Sequence, residues 1–289
     1  MTLADWVYLD GSIMPAEEAR VSAFDRGFLF AHAAYEVTAV FNGQFVDLDR
    51  HLERLDRTLT GLEIESPEID LHAQHRDLRD RNGLTQGLIY VQVTAGAPGP
   101  RDYYGPDTLT PSIFMFATHK RLIGEQARDG IHAISQPDTR WARRDLKTTQ
   151  LLSQTLAYRA ARRAGAETAI LHEDGVITEA ASANLWMVTP AGHLVTRDLS
   201  TALLHGITRA RLLDLLGDTA LEIEERAFTL SDLKQAREAF TSSTGVVIAP
   251  VLSVDRVAIG TGRPGPVTRQ VQAAYYRHLG ADPSGLDWL

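Results

Sequence analysis

The chain has 289 residues, with 29 Lys+Arg against 37 Asp+Glu and a formal net charge of −8. Hydrophobic residues at 44% and charged residues at 23% are ordinary globular composition, enough chain for one large domain or two of usual size. Mild acidity excludes a global attraction for nucleic acid or anionic lipid. The absence of cysteine excludes disulfides, thiolate metal sites and cysteine nucleophiles. No stretch approaches the roughly 18 apolar residues of a membrane span, and the opening MTLADWVYLDG lacks a basic region followed by an apolar run. A cytoplasmic protein with neither membrane nor nucleic-acid partner is expected.

Taken in order, Val7–Leu9, Asp10-Gly11 and Ser12–Met14 predict a hairpin, and Tyr35–Phe41, Asn42-Gly43 and Gln44–Val46 a clearer one. Leu48, Leu52, Leu55, Leu59 and Leu62 recur at alternating spacings of four and three, the stripe of an amphipathic helix. A highly charged helix is expected over 69–82, then strands at 88–94 and 112–118 around a Gly/Pro-rich loop, 95–111. The charged stretch from Lys120 reads as a connector. It divides a small N-terminal domain (1–119) from a larger C-terminal one (131–289), with 120–130 between them.

The second part begins with a strand at 130–135. After Asp145-Leu146-Lys147 comes a helix whose apolar face carries Leu152, Leu156, Ala160 and Ala164. Hairpins follow at 169–178 and 185–196. A helix over 209–216 takes Thr208 as its N-cap, and a short helix starts at Thr229 or Ser231. A strand at 239–241 runs into Ser242-Ser243-Thr244-Gly245, and a terminal helix covers 267–278. Hairpins with helices between them predict an α+β fold in two lobes.

No dinucleotide fingerprint, Walker lysine, H-E-x-x-H or G-x-S-x-G is present, and the ten histidines show no metal-ligand spacing. Ser231-Asp232-Leu233-Lys234 fits S-x-x-K, but without its companion motifs it reads as an N-cap serine followed by a solvated lysine. Lysine chemistry has three candidates, Lys120, Lys147 and Lys234, because the other basic residues are all arginines. Lys147 precedes an apolar helix. Glu179 lies just past a hairpin among small residues that let a flat cofactor approach. Gly206-Ile207-Thr208-Arg209 at a helix start and Ser243-Thr244-Gly245 at a strand end are both suited to cradle a phosphate. Lysine, acid and two phosphate cradles form a set that pyridoxal phosphate would use.

With these residues in place, the chain resembles the class IV aminotransferases, pyridoxal-phosphate enzymes of fold type IV, and among them most closely the D-amino acid transaminases. The resemblance rests on Asp25–Phe30, Tyr35-Glu36-Val37, Arg140–Lys147, Thr178–Asn184 and Leu204–Arg209, five segments in the right order. It implies a two-domain α+β fold, a homodimer, and transfer of the amino group of a D-amino acid to a 2-oxo acid by a ping-pong route.

Residue by residue, it implies that Lys147 forms the internal aldimine with pyridoxal 5'-phosphate and moves the substrate proton. Glu179 would bond the ring nitrogen. Arg54, Ile207, Thr208, Ser243 and Thr244 would hold the phosphate, Leu204 would pack on the ring and Ser182 would support it. Tyr35 and Arg101 would hold the substrate carboxylate. In the matching loop, Tyr103 stands where the family pattern has histidine, and it brings a hydrogen bond but no positive charge. An (R)-selective amine transaminase, a branched-chain L-amino acid transaminase, aminodeoxychorismate lyase and a non-catalytic small-molecule binding protein are the alternatives. No metal is expected.

Overall fold

The computed structural model describes residues 2–289. They form two compact units: the chain up to Leu122 together with Leu146–Gln150, and Ile123–Asp145 together with Leu151–Leu289.

The first unit runs β1 (Thr2–Leu9), β2 (Ser12–Pro15), α1 (Arg26–Phe30), β3 (Ala33–Phe41), β4 (Gln44–Val46), α2 (Leu48–Gly61), α3 (Leu71–Arg81), β5 (Gly87–Thr94) and β6 (Ser112–His119). Its six strands form an antiparallel sheet in the order β2-β1-β6-β5-β3-β4. Both expected hairpins form. Asp10-Gly11 and Asn42-Gly43 all take positive φ, as two-residue turns that match strand twist require. Leu55 and Leu59 of α2 and Leu78 of α3 are buried against Val40, Ile89 and Val91 of the sheet. Helix α3 is capped by Asp70, which accepts from the Ala73 amide at 3.0 Å.

The second unit runs α4 (Glu125–Asp129), β7 (Ile131–Pro137), α5 (Leu152–Arg163), β8 (Thr168–Glu173), β9 (Val176–Ala180), β10 (Asn184–Val188), β11 (Leu194–Thr196), α6 (Ile207–Leu216), β12 (Ile223–Glu225), α7 (Leu230–Lys234), β13 (Glu238–Ser243), β14 (Val247–Val254), β15 (Val257–Ala258) and α8 (Pro266–His278). The sheet order is β12-β11-β10-β13-β14-β7-β8-β9, with β15 paired to β14. The β7–β8, β7–β14 and β11–β12 pairs are parallel and the others antiparallel. The fold is thus mixed α+β, as the hairpin pattern predicts.

Two local expectations are corrected, and one strand is added. In α5 the buried residues are Ala157 and Ala161, whereas Leu152 and Leu156 are 71% and 52% exposed. The small residues let the helix lie close to its sheet, and the leucine stripe faces away. Helix α6 starts two residues early: Gly206 is its N-cap, and Thr208 is buried within its first turn. Strand β14 is a full eight-residue strand although Pro250 interrupts its apolar run. Among the described residues, no helix is long and apolar enough to cross a membrane.

Candidate active site

The lysine segment belongs to the first unit, although 23 residues of the second precede it (Ile123–Asp145). Residues 146–150 lie along the start of β3. The Tyr35 amide donates to the Lys147 carbonyl at 3.0 Å and the Thr149 amide to the Ala33 carbonyl at 3.1 Å. Ala34 and Thr148 form an antiparallel bridge. Leu146 packs so tightly on the end of α2 that a Cβ on Gly61 would stand 2.6 Å from its Cδ2. A side chain at position 61 would have to displace the Leu146 methyl groups, and no unusual backbone angle is involved.

This seating puts Lys147 Nζ 4.2 Å from the centre of the Tyr35 ring. That ring begins a ladder across the sheet, Tyr35–Tyr90–Phe116, with centroids 5.4 and 4.8 Å apart. Burial pushes the Tyr90 phenol well above its ordinary range. Of the other two lysines, Lys234 is bonded to Asp255 at 2.9 Å and Lys120 is drawn below its usual range by burial.

Behind Lys147, Thr58 of α2 accepts from the Lys147 amide at 3.4 Å and donates to the Arg54 carbonyl at 2.9 Å. Arg54 is buried. Its Nε and Nη2 reach the two oxygens of Glu36 at 2.6 and 2.9 Å, and His51 Nδ1 lies 2.8 Å from Glu36 Oε2. Burial alone would raise the Glu36 carboxyl. The charge and hydrogen bonds of Arg54, helped by His51, hold it well below the carboxylate range instead. The His51 imidazole is pushed down by its own burial.

The Asp25-Arg26-Gly27 motif has a structural explanation in the same unit. Asp25 caps α1 through the Gly27 amide at 2.7 Å and accepts from Thr94 Oγ1 at 2.8 Å. Gly27 passes Thr94 where a Cβ would stand 2.7 Å from its methyl group. Arg26 donates to the Asp102 and Tyr103 carbonyls at 2.7 and 3.0 Å, fixing the long loop. On that loop Arg101 Nη2 donates to Tyr103 Oη at 2.9 Å, and its guanidinium lies over the Phe30 and Tyr103 rings.

In the second unit, β9 carries Glu179, which is fully buried, one residue before its end. Oε1 accepts from Arg140 Nη1 and from the Leu204 amide at 3.1 Å, and Oε2 accepts from Asn184 Nδ2 at 3.1 Å. Burial raises its carboxyl above the ordinary range in spite of the Arg140 charge. Asn184, the first residue of β10, also donates to the Leu204 carbonyl at 2.9 Å. Its Oδ1 occupies the space a Cβ on Gly206 would need, 1.9 Å away.

Ten-residue α6 therefore begins on a glycine with no side-chain cap, and its first N–H groups are those that bind anions. Asn184 pairs in register with Ser242, so Ser243 and Thr244 continue past the same strand start. Ser243 Oγ accepts from the Val246 amide at 3.3 Å. Ser182 lies 2.5 Å from the Tyr158 hydroxyl of α5.

Each unit thus gathers part of the expected set. Lys147, Tyr35 and Arg54 come together in the first. In the second, Asn184 bonds Glu179 and Leu204, lies against Gly206 just before Ile207 and Thr208, and pairs with Ser242 just before Ser243 and Thr244. Arg101 and Tyr103 pair with each other. Asn184 and Arg140 are not singled out by the sequence, though both lie within the segments that carry the family resemblance.

The model of the family described as amino-transferase class IV matches residues 33–254. The chain belongs to the class IV aminotransferases. It is 35% identical to the D-alanine aminotransferase of Bacillus licheniformis over 270 residues, 93% of this chain and 95% of that protein. Among solved structures, the branched-chain amino acid aminotransferase of Escherichia coli superposes with a TM-score of 0.87 at 25% identity, covering 99% of this chain and 98% of that one. The branched-chain amino acid aminotransferase from Thermobaculum terrenum, in its PLP-form, gives a TM-score of 0.81 at 24% identity, over 100% and 98% of the two chains.

Proposed function

We propose that this chain transfers the amino group of a D-amino acid to a 2-oxo acid with pyridoxal 5'-phosphate as cofactor. The observation that carries the reading is the near full-length similarity to D-alanine aminotransferase, with Lys147 and Glu179 each in a built environment. The residues fit the cofactor. The α6 start offers uncapped N–H groups to a phosphate beside Ser243 and Thr244, and Glu179 offers a buried carboxylate to a protonated ring nitrogen. When bound, the cofactor supplies an electron sink for the substrate α-carbon.

Lys147 Nζ would bind the cofactor aldehyde and, once displaced by the incoming amine, would carry the proton from the substrate α-carbon to the cofactor carbon that receives the amino group. Glu179 holds the ring proton, Leu204 lies against the ring and Ser182 steadies it. Arg54, Ile207, Thr208, Ser243 and Thr244 hold the phosphate, with Glu36 fixing Arg54. Tyr35 and Arg101 take the substrate carboxylate, and Tyr103 supports Arg101 where the family pattern has histidine. We assign most of the cofactor contacts to residues 131–289, with 1–119 as the smaller domain and 120–130 as connector.

Exposed aromatic residues of the first unit, Phe28 (76%) and Tyr103 (71%) among them, support a homodimer, checked by light scattering. The lack of cysteine agrees with a cytoplasmic enzyme. The similarity to the E. coli branched-chain enzyme favours an L-amino acid donor as the second reading.

Mixing holoenzyme separately with D-alanine, D-glutamate, L-leucine, L-glutamate and (R)-1-phenylethylamine, without keto acid, decides the donor. Conversion of the visible cofactor band by the D-amino acids alone is expected. Conversion by L-leucine or the amine alone would move the assignment to a sister activity. Lys147→Ala should abolish turnover and the visible band, and normal turnover in that variant would overturn the role of the lysine.

A further inference from the structure

The carboxylate of Glu179 is served unevenly. Arg140 brings a single N–H to Oε1, while its Nε and Nη2 form a two-pronged bond to Asp138 at 2.9 and 2.6 Å. Asp138 is itself buried. It accepts from the Arg140 amide at 3.1 Å and from Thr178 Oγ1 at 2.7 Å, and Arg144 Nη1 lies 3.6 Å from it. Arg144 in turn reaches Glu173 at 2.6 Å. Thr178 immediately precedes Glu179 on β9, so one clamp fixes both the strand and the guanidinium.

An arginine whose purpose was to close an ion pair with Glu179 would give that acid its fork, because the bidentate geometry is the stronger one. Here the fork goes to Asp138, and Glu179 Oε2 has only the neutral amide of Asn184. The charged groups facing the acid are Arg140 and, behind it, Asp138. The arrangement leaves a fully buried carboxylate partly neutralised and firmly aimed, as a site awaiting a further cationic N–H would be.

We propose that Arg140 is a positioning residue for the aminotransferase reaction: locked in plane by Asp138, it orients Glu179 and supplies its standing counter-charge. Glu179 can then hold a proton on the cofactor ring. The proposal rests on the cofactor reading above. Arg140 touches neither substrate nor reacting atoms, and it acts through Glu179. Without it, burial would favour the neutral acid, which cannot stabilise a protonated ring nitrogen.

The test compares the affinity of apoenzyme for pyridoxal 5'-phosphate with that for its 1-deaza analogue, which keeps the aldehyde and phosphate but has carbon in place of the ring nitrogen. Wild type should prefer the natural cofactor by about tenfold or more. In Arg140→Gln that preference should shrink about tenfold, with binding of the deaza analogue nearly unchanged. Arg140→Lys, which keeps the charge without the fork, should recover part of the preference, and it carries the test by itself should the glutamine variant not fold. An equal loss for both ligands would make Arg140 a purely structural residue and overturn the proposal, as would an undiminished preference in either variant. Failure of wild type to bind either ligand, or of borohydride to fix the cofactor on Lys147, would overturn the cofactor reading and this proposal with it.

Discussion

Glu36 and Glu179 are both buried and both bonded to an arginine, yet their acidities move in opposite directions. Glu36 receives the whole fork of Arg54 and the ring of His51, and its carboxyl is held down. Glu179 receives one N–H of an arginine whose fork belongs to another carboxylate, and burial prevails. In the first pair the fork and the charge are matched within the unit, and Glu36 thereby fixes the guanidinium proposed above for the phosphate. The second is open, with a carboxylate that a protonated partner would complete. Burial and the presence of an arginine do not by themselves set the direction in which a buried acid is shifted. How the donors of that arginine are shared does.

The largest effect that would break this comparison is on stability. Removing one partner of a matched buried pair strands the other charge, so Glu36→Ala should destabilise the protein by about 3–5 kcal/mol. Glu179→Gln, which leaves Arg140 its fork to Asp138, should cost about 1 kcal/mol while slowing the amino-transfer half-reaction. Denaturant melts with stopped-flow half-reactions check both. Equal stability losses would remove the distinction between matched and open pairs.

A pH titration sharpens the same contrast. His75 of α3 is wholly buried, its Nδ1 lies 2.7 Å from the Leu71 carbonyl, and burial lowers its imidazole to about 4. An unfolded histidine takes up its proton near pH 6.5, so the unfolded chain binds more protons between those values and stability must fall as pH drops from about 6.5 to 4. His75 contributes up to about 3 kcal/mol to that loss, and His51 shifts in the same direction. Below about pH 4.5 Glu36 takes up a proton in the unfolded chain that the folded carboxyl resists, which adds to the loss, whereas Glu179, shifted upward, works the other way. His75→Phe should flatten the limb above pH 4.5, and an unaltered limb would place the acid sensitivity elsewhere.

The smallest effect concerns the substrate loop. Arg101→Ala should raise KM for D-amino acids about tenfold, roughly 1.4 kcal/mol, and leave an uncharged amine nearly unaffected. Equal changes in steady-state kinetics for both donors would deny Arg101 a carboxylate.

Much of this was legible in the sequence where local chemistry decides local shape. Asn42-Gly43 and Asp10-Gly11 fix their turns through positive φ, and the leucine spacing of α2 fixes its buried face. The scarcity of lysine leaves Lys147 only two rivals. Reading failed where packing overrides pattern. Two alanines outrank two leucines in α5 because proximity to the sheet matters more there than side-chain size. Pro250 hides β14 because proline usually ends a strand. Gly206 serves as an N-cap without a side chain to announce it. Asn184 and Arg140 are ordinary polar residues in sequence. Only the meeting of β9, β10, the loop before α6 and the segment after β7 that carries Arg140 makes them the scaffold of Glu179.

The seat of Lys147 also has a consequence in time. When synthesis reaches Leu122, the six strands of the first unit exist, but Ala33 and Tyr35 still lack the partners that Lys147 and Thr149 bring. At roughly 5–20 residues per second, the growing chain must wait for a few seconds, until Gln150 has been made, to complete that edge. A fragment cut at the apparent connector would contain all six strands and lack Lys147. The discontinuous unit therefore ties the seating of Lys147 to the synthesis of a segment whose neighbours in sequence belong to the other unit.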